Sequence, residues 1–355
     1  MGADMDIDTK ALKKNAFRVT KVRGVTSSRI RVPGGLLKAE YLGKIQEIAE
    51  KYGNGTVNLT ARQGFEIPGI PFEKIPEVNK ALQEIIDGTG VNQTGKERGE
   101  GYPASGTRNV SACVGNRVCP YACYDTTALA QKIEKIIFPD DLHVKIVLTG
   151  CPNDCQKVRM ADIGIMGMTE PQFDPERCVS CGACIKACRS KSVDALTKVH
   201  FRPERDTYKC IGCGECINAC PNLAWTRSTQ KYFRITLLGR TGKKNPRMGV
   251  DFIKWADEDS VLQIIRNTYD YVRHYINPDS PGGKEHIGYI VDRTGTEEYL
   301  RWALKDVHLP AIAEVYTPLN WGGVEYAHNK YFGNQKYQEN GMIVTDFSET
   351  TPKRK

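Results

Sequence analysis

Thirteen cysteines among 355 residues are the first chemistry this sequence offers. Eight fall in two repeats, CVSCGACIKAC (178–188) and CIGCGECINAC (210–220), which agree at seven of eleven positions. Each follows C-x2-C-x2-C-x3-C, and Pro221 closes the second. In this iron–sulfur spacing three close thiolates hold one [4Fe–4S] cluster, while the fourth reaches across to another. The rule predicts one cluster on Cys178, Cys181, Cys184 and Cys220 and a second on Cys210, Cys213, Cys216 and Cys188. Gly182 and Gly214 leave backbone amides free to point at sulfides. Zinc fits less well, because its sites favour two C-x2-C pairs over a close triplet with a remote fourth. Five cysteines remain. Cys113-x5-Cys119 and Cys151-x3-Cys155 form a moderately specific ligand pattern on spacing alone, and Cys123 is left over.

Composition supports metal over disulfides. The chain is 40% apolar and 26% charged, as in globular proteins. No apolar run approaches the roughly 20 residues that span a bilayer. The start, MGADMDIDTKALKK, has no hydrophobic leader core. A cytoplasmic, reducing location is therefore expected, and disulfides do not persist there. The net charge of +8 is concentrated. Residues 9–39 hold nine basic side chains and 227–247 seven more, neither with an acid, leaving 34 basic against 42 acidic residues elsewhere. Such stretches fit a strongly anionic ligand, and on charge alone nucleic acid or plain solvation stays open. GRTGKK (239–244) is not a phosphate-binding loop, because Leu237 and Lys244 replace the required Gly and Ser/Thr. No G-x-G-x-x-G joins a strand to a helix, so flavin and nicotinamide are not expected on this chain.

The elements that must position these residues are legible from periodicity. Residues 28–32, 56–60 and 65–67 read as strands, with helices from Ala39 and around Val78–Ile86. That order predicts a two-layer α+β unit over 1–98, with 87–102 as a linker. Strands at 108–113, 143–150, 161–167 and 232–239 and helices at 124–137 and 258–276 predict a second, α/β unit. On 143–150, His143, Lys145 and Val147 share one face. The cysteine repeats interrupt this unit. The expected division is 1–98, 99–170, an insertion over 171–228, 229–280, and a C-terminal extension over 281–355.

RNVSACVGNRVC (108–119) and TGCPNDC (149–155) resemble the siroheme sulfite and nitrite reductases. TARQGFEIPGI (60–70), ADIGIMG (161–167) and FRITLLGRTGKKNPR (233–247) are similar to further segments of that family. The ferredoxin-type insertion is similar to that of its anaerobic siroheme-bearing members. The resemblance implies a ferredoxin-like half-domain, a siroheme/[4Fe–4S] domain and an inserted two-cluster bacterial-type ferredoxin domain. It implies siroheme and three [4Fe–4S] clusters, the third on Cys113, Cys119, Cys151 and Cys155, with Cys155 bridging to the siroheme iron. Siroheme is rimmed by carboxylates, which gives the basic stretches a role. Arg23, Arg29, Arg31, Asn116, Asn153, Arg240, Lys243, Lys244 and Arg247 are the expected cofactor contacts.

The implied reaction is six-electron reduction of sulfite to sulfide, with Arg62, Arg108 and Lys145 binding the oxyanion. His143 stands where relatives often carry Lys, and proton donor or pocket wall are both open for it. Electrons would enter through the two ferredoxin-type clusters. They would come from partners, a flavin-containing NAD(P)H-oxidising subunit and a further iron–sulfur subunit, with no nucleic acid or membrane span and oligomerisation left open. Nitrite reduction to ammonium on the same cofactors is the alternative, and a non-catalytic electron-transfer role is a second.

Overall fold

In the computed structural model, residues 16–89, 107–138, 142–191, 193–241, 246–280 and 285–316 are described, with Leu12, Asp140 and the backbone of Tyr337–Glu339 and Met342–Val344. Strands β1 (Phe17–Val19), β2 (Val25–Ile30), β3 (Asn58–Leu59) and β4 (Phe65–Pro71) form an antiparallel sheet in the order β1-β2-β4-β3. Helices α1 (Glu40–Tyr52) and α2 (Ile75–Gly88) turn Ile45, Ile48, Val78, Leu82 and Ile85 onto Ile30, Ile67 and Ile70 of that sheet. The helical spacing of the first set and the alternation of the second make this one core.

The second unit is a mixed six-stranded sheet. β5 (Ser111–Ala112), β6 (Ile146–Thr149) and β7 (Ile163–Met168) run parallel, with α3 (Thr126–Ile137) crossing from β5 to β6. Asp125 caps α3, its carboxylate accepting from the amides of Thr127 and Ala128 at 3.0 and 3.1 Å. After β7 the chain leaves the sheet through β8 (Pro171–Phe173), α4 (Ala183–Ser190), β9 (Leu196–Val199), β10 (Arg202–Arg205), α5 (Glu215–Asn218) and β11 (Trp225–Arg227). It returns as β12 (Tyr232–Leu237), which pairs antiparallel with β7 from Met168↔Tyr232 inward. β8 and β11 also pair, so the insertion departs and re-enters on neighbouring strands. β13 (Val250–Ala256) and α6 (Glu258–Tyr275) follow, and Ile264, Ile265 and Val272 of α6 enter the core with Ile133 and Ile137 of α3.

The end of this unit differs from the expected boundary at 280. Helices α7 (Ile287–Thr294) and α8 (Thr296–Ala303) bury Ile287, Ile290, Val291, Tyr299 and Ala303 in the same core, and β14 (Glu314–Val315) pairs with β13. Residues 285–316 are core, because a short apolar stripe there completes the sheet's helical cover. The rest of the expected extension lies outside the described residues, apart from the paired strands β15 (Tyr337–Glu339) and β16 (Met342–Val344).

One buried ion pair ties the two units together. Arg31, just beyond β2, donates from Nη2 to Glu134 of α3 at 2.7 Å, with neither side chain more than 3% exposed. Arg31 also lies over the Phe138 ring, 5.5 Å from its centroid. Glu134→Ala takes the carboxylate from a buried guanidinium and is expected to lower stability by about 3–5 kcal/mol, read as a fall in urea midpoint at constant m-value. Replacing both partners with apolar residues should recover most of that loss.

Candidate active site

The eight cysteines of the insertion fall into two groups. Cys178, Cys181, Cys184 and Cys220 line one cavity, walled by Ile185, Pro203 and Trp225. Cys188, Cys210, Cys213 and Cys216 line another, walled by Val193, Ala195 and Leu196. The crossing follows from the helices. Gly182 and Gly214, at φ 76°, start α4 and α5, and the fourth cysteine of each repeat lies past the first turn. The sulfurs of Cys188 and Cys220 each accept a backbone N–H, from Ala195 and Ala224, at 3.2 Å.

Cys113 follows β5, Cys119 follows a short turn, and Cys151 and Cys155 sit in the loop after β6. Cys113 Sγ accepts the Gly150 amide at 3.0 Å. A Cβ at Gly150 would stand 2.6 Å from that of Ala122, so only glycine fits this approach. Burial pushes the Cys151 thiol up, and Cys119, Cys113 and Cys155 act on it in the same direction. Cys155 is exposed, with Asn116 and Asn153 exposed in the same loops. Among the described residues no three Cys, His, Asp or Glu side chains converge on a single metal ion. Ligands of a four-iron cluster bind separate irons and are not required to do so.

Cys123 lines neither cavity of the insertion. Burial pushes its thiol up to about 11, against Arg227, which donates to its sulfur at 3.6 Å. Cys151 and Cys213 are both electrostatic neighbours of this thiol, and Arg227 also packs beside Gly214. The spare cysteine thus sits where the insertion meets the Cys113–Cys155 loops.

A cavity of about 200 Å³ opens between the two units. Arg29, Arg31, Arg62 and Arg108 line it, with Thr60, Thr107 and Asn109. Asn109 Nδ2 donates to the backbone oxygens of Arg62 and Val32 at 2.6 and 3.0 Å, which fixes the loop carrying Arg62. Gln63, at φ 59°, exchanges two hydrogen bonds with Ala112, so the same loop is clamped beside Cys113. Arg62 is depressed to about 10, first by burial, then by Arg108 and Arg29. Its Nη1 is buried with no acceptor among the described residues. Arg29 is offset by Glu66, to which its Nε donates at 2.6 Å. Among the described residues, Arg62 thus brings to the cavity a buried positive charge with one unmatched N–H.

On the stretch that runs into β6, His143, Lys145 and Val147 are half-buried on one face and Val144, Ile146 and Leu148 buried on the other, the alternation expected. Two residues that no sequence motif singles out stand beside them. Asp162, fully buried, accepts the Lys145 amide at 2.8 Å. Its other oxygen is 3.2 Å from Nε2 of His286, whose ring lies 4.7 Å from that of His143. Burial raises Asp162 to about 7 against the pull of Lys145, Arg240 and Arg247.

Several expected cofactor contacts stand elsewhere or are engaged. Arg31 is held by Glu134, since a buried guanidinium needs a carboxylate. Arg240 and Arg247 both grip Asp292, at 3.2 and 2.8 Å, so protein carboxylate already meets these charges. Arg23 is exposed in the turn between β1 and β2. Lys243 and Lys244 lie outside the described residues.

Residues 104–310 match the nitrite and sulphite reductase 4Fe-4S domain, and 20–85 match the nitrite/sulfite reductase ferredoxin-like half domain. The chain is 40% identical over 327 residues to a subunit of the anaerobic sulfite reductase of Salmonella typhimurium, covering 90% of this chain and 95% of that protein. It is 34% identical over 169 residues to the coenzyme F420-dependent sulfite reductase of Methanocaldococcus jannaschii, covering 47% of this chain and 25% of that one. A crystal structure of dissimilatory sulfite reductase I covers 92% of this chain, and is itself covered to 77%, at a TM-score of 0.59 and 18% identity, which shows the shared α+β fold. No helix among the described residues is long and apolar enough to cross a membrane. The resemblance read from the cysteine loops thus holds along the chain, which belongs to the nitrite and sulphite reductase 4Fe-4S domain family.

Proposed function

We propose that this chain reduces sulfite to sulfide at a siroheme coupled to the cluster of Cys113, Cys119, Cys151 and Cys155. The observation that carries the reading is the arginine-lined cavity, with Arg62 Nη1 buried and unmatched among the described residues and its loop clamped through Gln63 to Ala112, beside Cys113. The donor set fits both groups: four thiols on two neighbouring loops for the cluster, and the unmatched N–H of Arg62 for an anion. Cys155, exposed at the loop's end, would be the thiolate that holds siroheme beside the cluster, and siroheme would supply the redox chemistry. Arg62 and Arg108 would bind the oxyanion, and Lys145 would hold the protons that leave with oxygen as water. Six electrons and six protons convert hydrogen sulfite to hydrosulfide and three waters.

The two cavities of the insertion would hold the remaining [4Fe–4S] clusters. The proximity of Cys123 and Arg227 to Cys213 and Gly214 supports taking the cluster of Cys188, Cys210, Cys213 and Cys216 as the nearer to the siroheme side, and the other as the entrance for electrons. Reductant would come from partners, one oxidising NAD(P)H through flavin and one carrying further iron–sulfur clusters, in the cytoplasm. The purified chain is expected to show siroheme absorption bands, about thirteen irons, and faster turnover of sulfite than of nitrite with a low-potential dye. About eight irons without siroheme bands, or turnover of nitrite alone, would overturn the reading. Cys123→Ser should keep the full iron content, whereas Cys151→Ser should lose four irons and the siroheme coupling. Iron and sulfide analysis beside the absorption spectrum checks both.

A further inference from the structure

We propose that Arg205 hydrogen-bonds the [4Fe–4S] cluster of Cys188, Cys210, Cys213 and Cys216 and raises its reduction potential above that of the other cluster of the insertion. The inference rests on the cluster reading above and adds a residue outside the cysteine motifs. Its placement follows from the β9–β10 hairpin, whose pleat turns alternate side chains to one face. Lys198 pairs with Pro203 across the hairpin, and Leu196 with Arg205. Lys198 and Pro203 line the cavity of Cys178, Cys181, Cys184 and Cys220, whereas Leu196 and Arg205 line that of the other four cysteines. One face of the hairpin thus serves both cavities, with a cation at each. The two cations differ in burial. Lys198 is exposed and screened by solvent, while the Arg205 side chain is only 17% exposed.

The Arg205 guanidinium is anchored with one N–H to spare. Its Nη2 donates to Oε1 of Glu170, in the turn between β7 and β8, at 3.2 Å. Its Nη1 is buried and has no acceptor among the described residues. Such a donor is costly unless something in the cavity accepts from it. The walls at Val193, Ala195 and Leu196 are apolar, and Glu215, the carboxylate of this cavity, faces Lys191 at 3.6 Å. Cluster sulfides and thiolates carry negative charge and accept hydrogen bonds, which suits a guanidinium. Arg227 stands beside Gly214 but donates to the Cys123 sulfur and the Pro120 oxygen, at 3.6 and 3.3 Å. In the other cavity the buried donor is the neutral indole of Trp225.

The consequence is electrostatic. Reduction adds one electron, and so one negative charge, with no bond broken and no proton required. A buried cationic N–H meets that added charge more strongly than a neutral indole N–H does. Hydrogen bonds to sulfur and local charge both set the potential of such a cluster. The cluster beside Arg205 is therefore the more easily reduced of the two, and an electron that enters at the Cys178 group moves on towards the Cys113–Cys155 loops. Glu170 works against this, since its carboxylate anchors the guanidinium and offsets part of its charge.

Potentiometric titration of the cofactor-loaded protein, read by electron paramagnetic resonance, provides the test. The ferredoxin-type cluster left in Cys220→Ser should have a higher midpoint than the one left in Cys210→Ser, and the reverse order overturns the proposal. Adding Arg205→Gln to Cys220→Ser should keep the iron content and lower the midpoint by about 59 mV, tenfold in a one-electron equilibrium. Arg205→Lys should restore part of that shift. Glu170→Gln breaks the same ion pair but removes the negative partner, so it should raise the midpoint. If Arg205 only ties β10 to the turn after β7, both Gln variants lose the same contact and move the midpoint alike or leave it unmoved, and either result overturns the proposal. Should the cysteine variants fail to fold, Arg205→Gln alone should shift one of the two ferredoxin-type signals, and a shift of both or of neither overturns it. If Arg205→Gln loses its cluster, an unmoved midpoint in Glu170→Gln overturns it equally. Absence of sulfite turnover with these shifts present would count against the sulfite reading and leave Arg205 in its role, whereas a chain without the irons of the insertion would overturn both.

Discussion

Arg62→Ala is expected to lower kcat/KM for sulfite by about 10²–10³-fold while leaving the fold and the iron content intact. The size follows from where the side chain sits. Its guanidinium is buried in the cavity, with one N–H unmatched among the described residues, and it is depressed to about 10 by burial and by Arg108 and Arg29. Burial, Arg108 and Arg29 oppose its charge more than Asp162 supports it, so the cost of that arrangement is recovered when an anion enters. Removing it should therefore leave the urea midpoint unchanged or slightly raised. The loop would keep its shape, because Asn109 holds the backbone oxygen of Arg62 and Gln63 grips Ala112, neither through the Arg62 side chain. Arg62→Lys retains charge but loses the planar fork, and should fall between the two. A variant with normal cofactor content and normal sulfite turnover would remove Arg62 from the substrate site. A variant that loses turnover together with siroheme would move it to cofactor binding.

How much of the molecule is legible in its sequence depends on how local each signal is. The strand at 143–150 and the helix at 258–276 announce themselves by alternation and by helical spacing, and the structure has β6 and α6 there. The grouping of Cys188 with the other repeat is legible because the C-x2-C-x2-C-x3-C spacing carries its own rule, that the fourth thiolate reaches the other cluster. Arg31 is only half legible: it lines the arginine cavity, as its basic neighbourhood suggests, but its ion-pair partner Glu134 lies 103 residues away. Asp162 and His286 meet only through the register of β6 and β7 and the start of α7, so no local pattern points to them. Helices α7 and α8 escape notice because their apolar stripes are short, at eight residues each, and flanked by Gly- and Tyr-rich sequence.

Cys220→Ser is expected to remove one ferredoxin-type cluster, lowering iron from about thirteen to about nine per chain, and to sever supply from a protein donor. The crossed arrangement makes the result specific. Cys220 lines the cavity of Cys178, Cys181 and Cys184, although it belongs to the second repeat. Its loss should therefore match that of Cys178→Ser, and the double variant should lose nothing further. Combining Cys220→Ser with Cys210→Ser should instead remove both clusters, about eight irons, because Cys210 lies in the other cavity. An uncrossed arrangement reverses these two outcomes, so iron analysis of the doubles with electron paramagnetic resonance of the reduced protein separates them. The substitution is mild for the chain itself. Cys220 is only partly buried, and a serine oxygen can accept the Ala224 amide that its sulfur accepts at 3.2 Å. If the cluster of Cys188 is the nearer to the Cys113–Cys155 loops, turnover driven by a small dye should survive Cys220→Ser while turnover driven by a protein donor collapses. Equal loss with both donors would place the affected cluster next to the site and reverse the order set by Cys123 and Arg227.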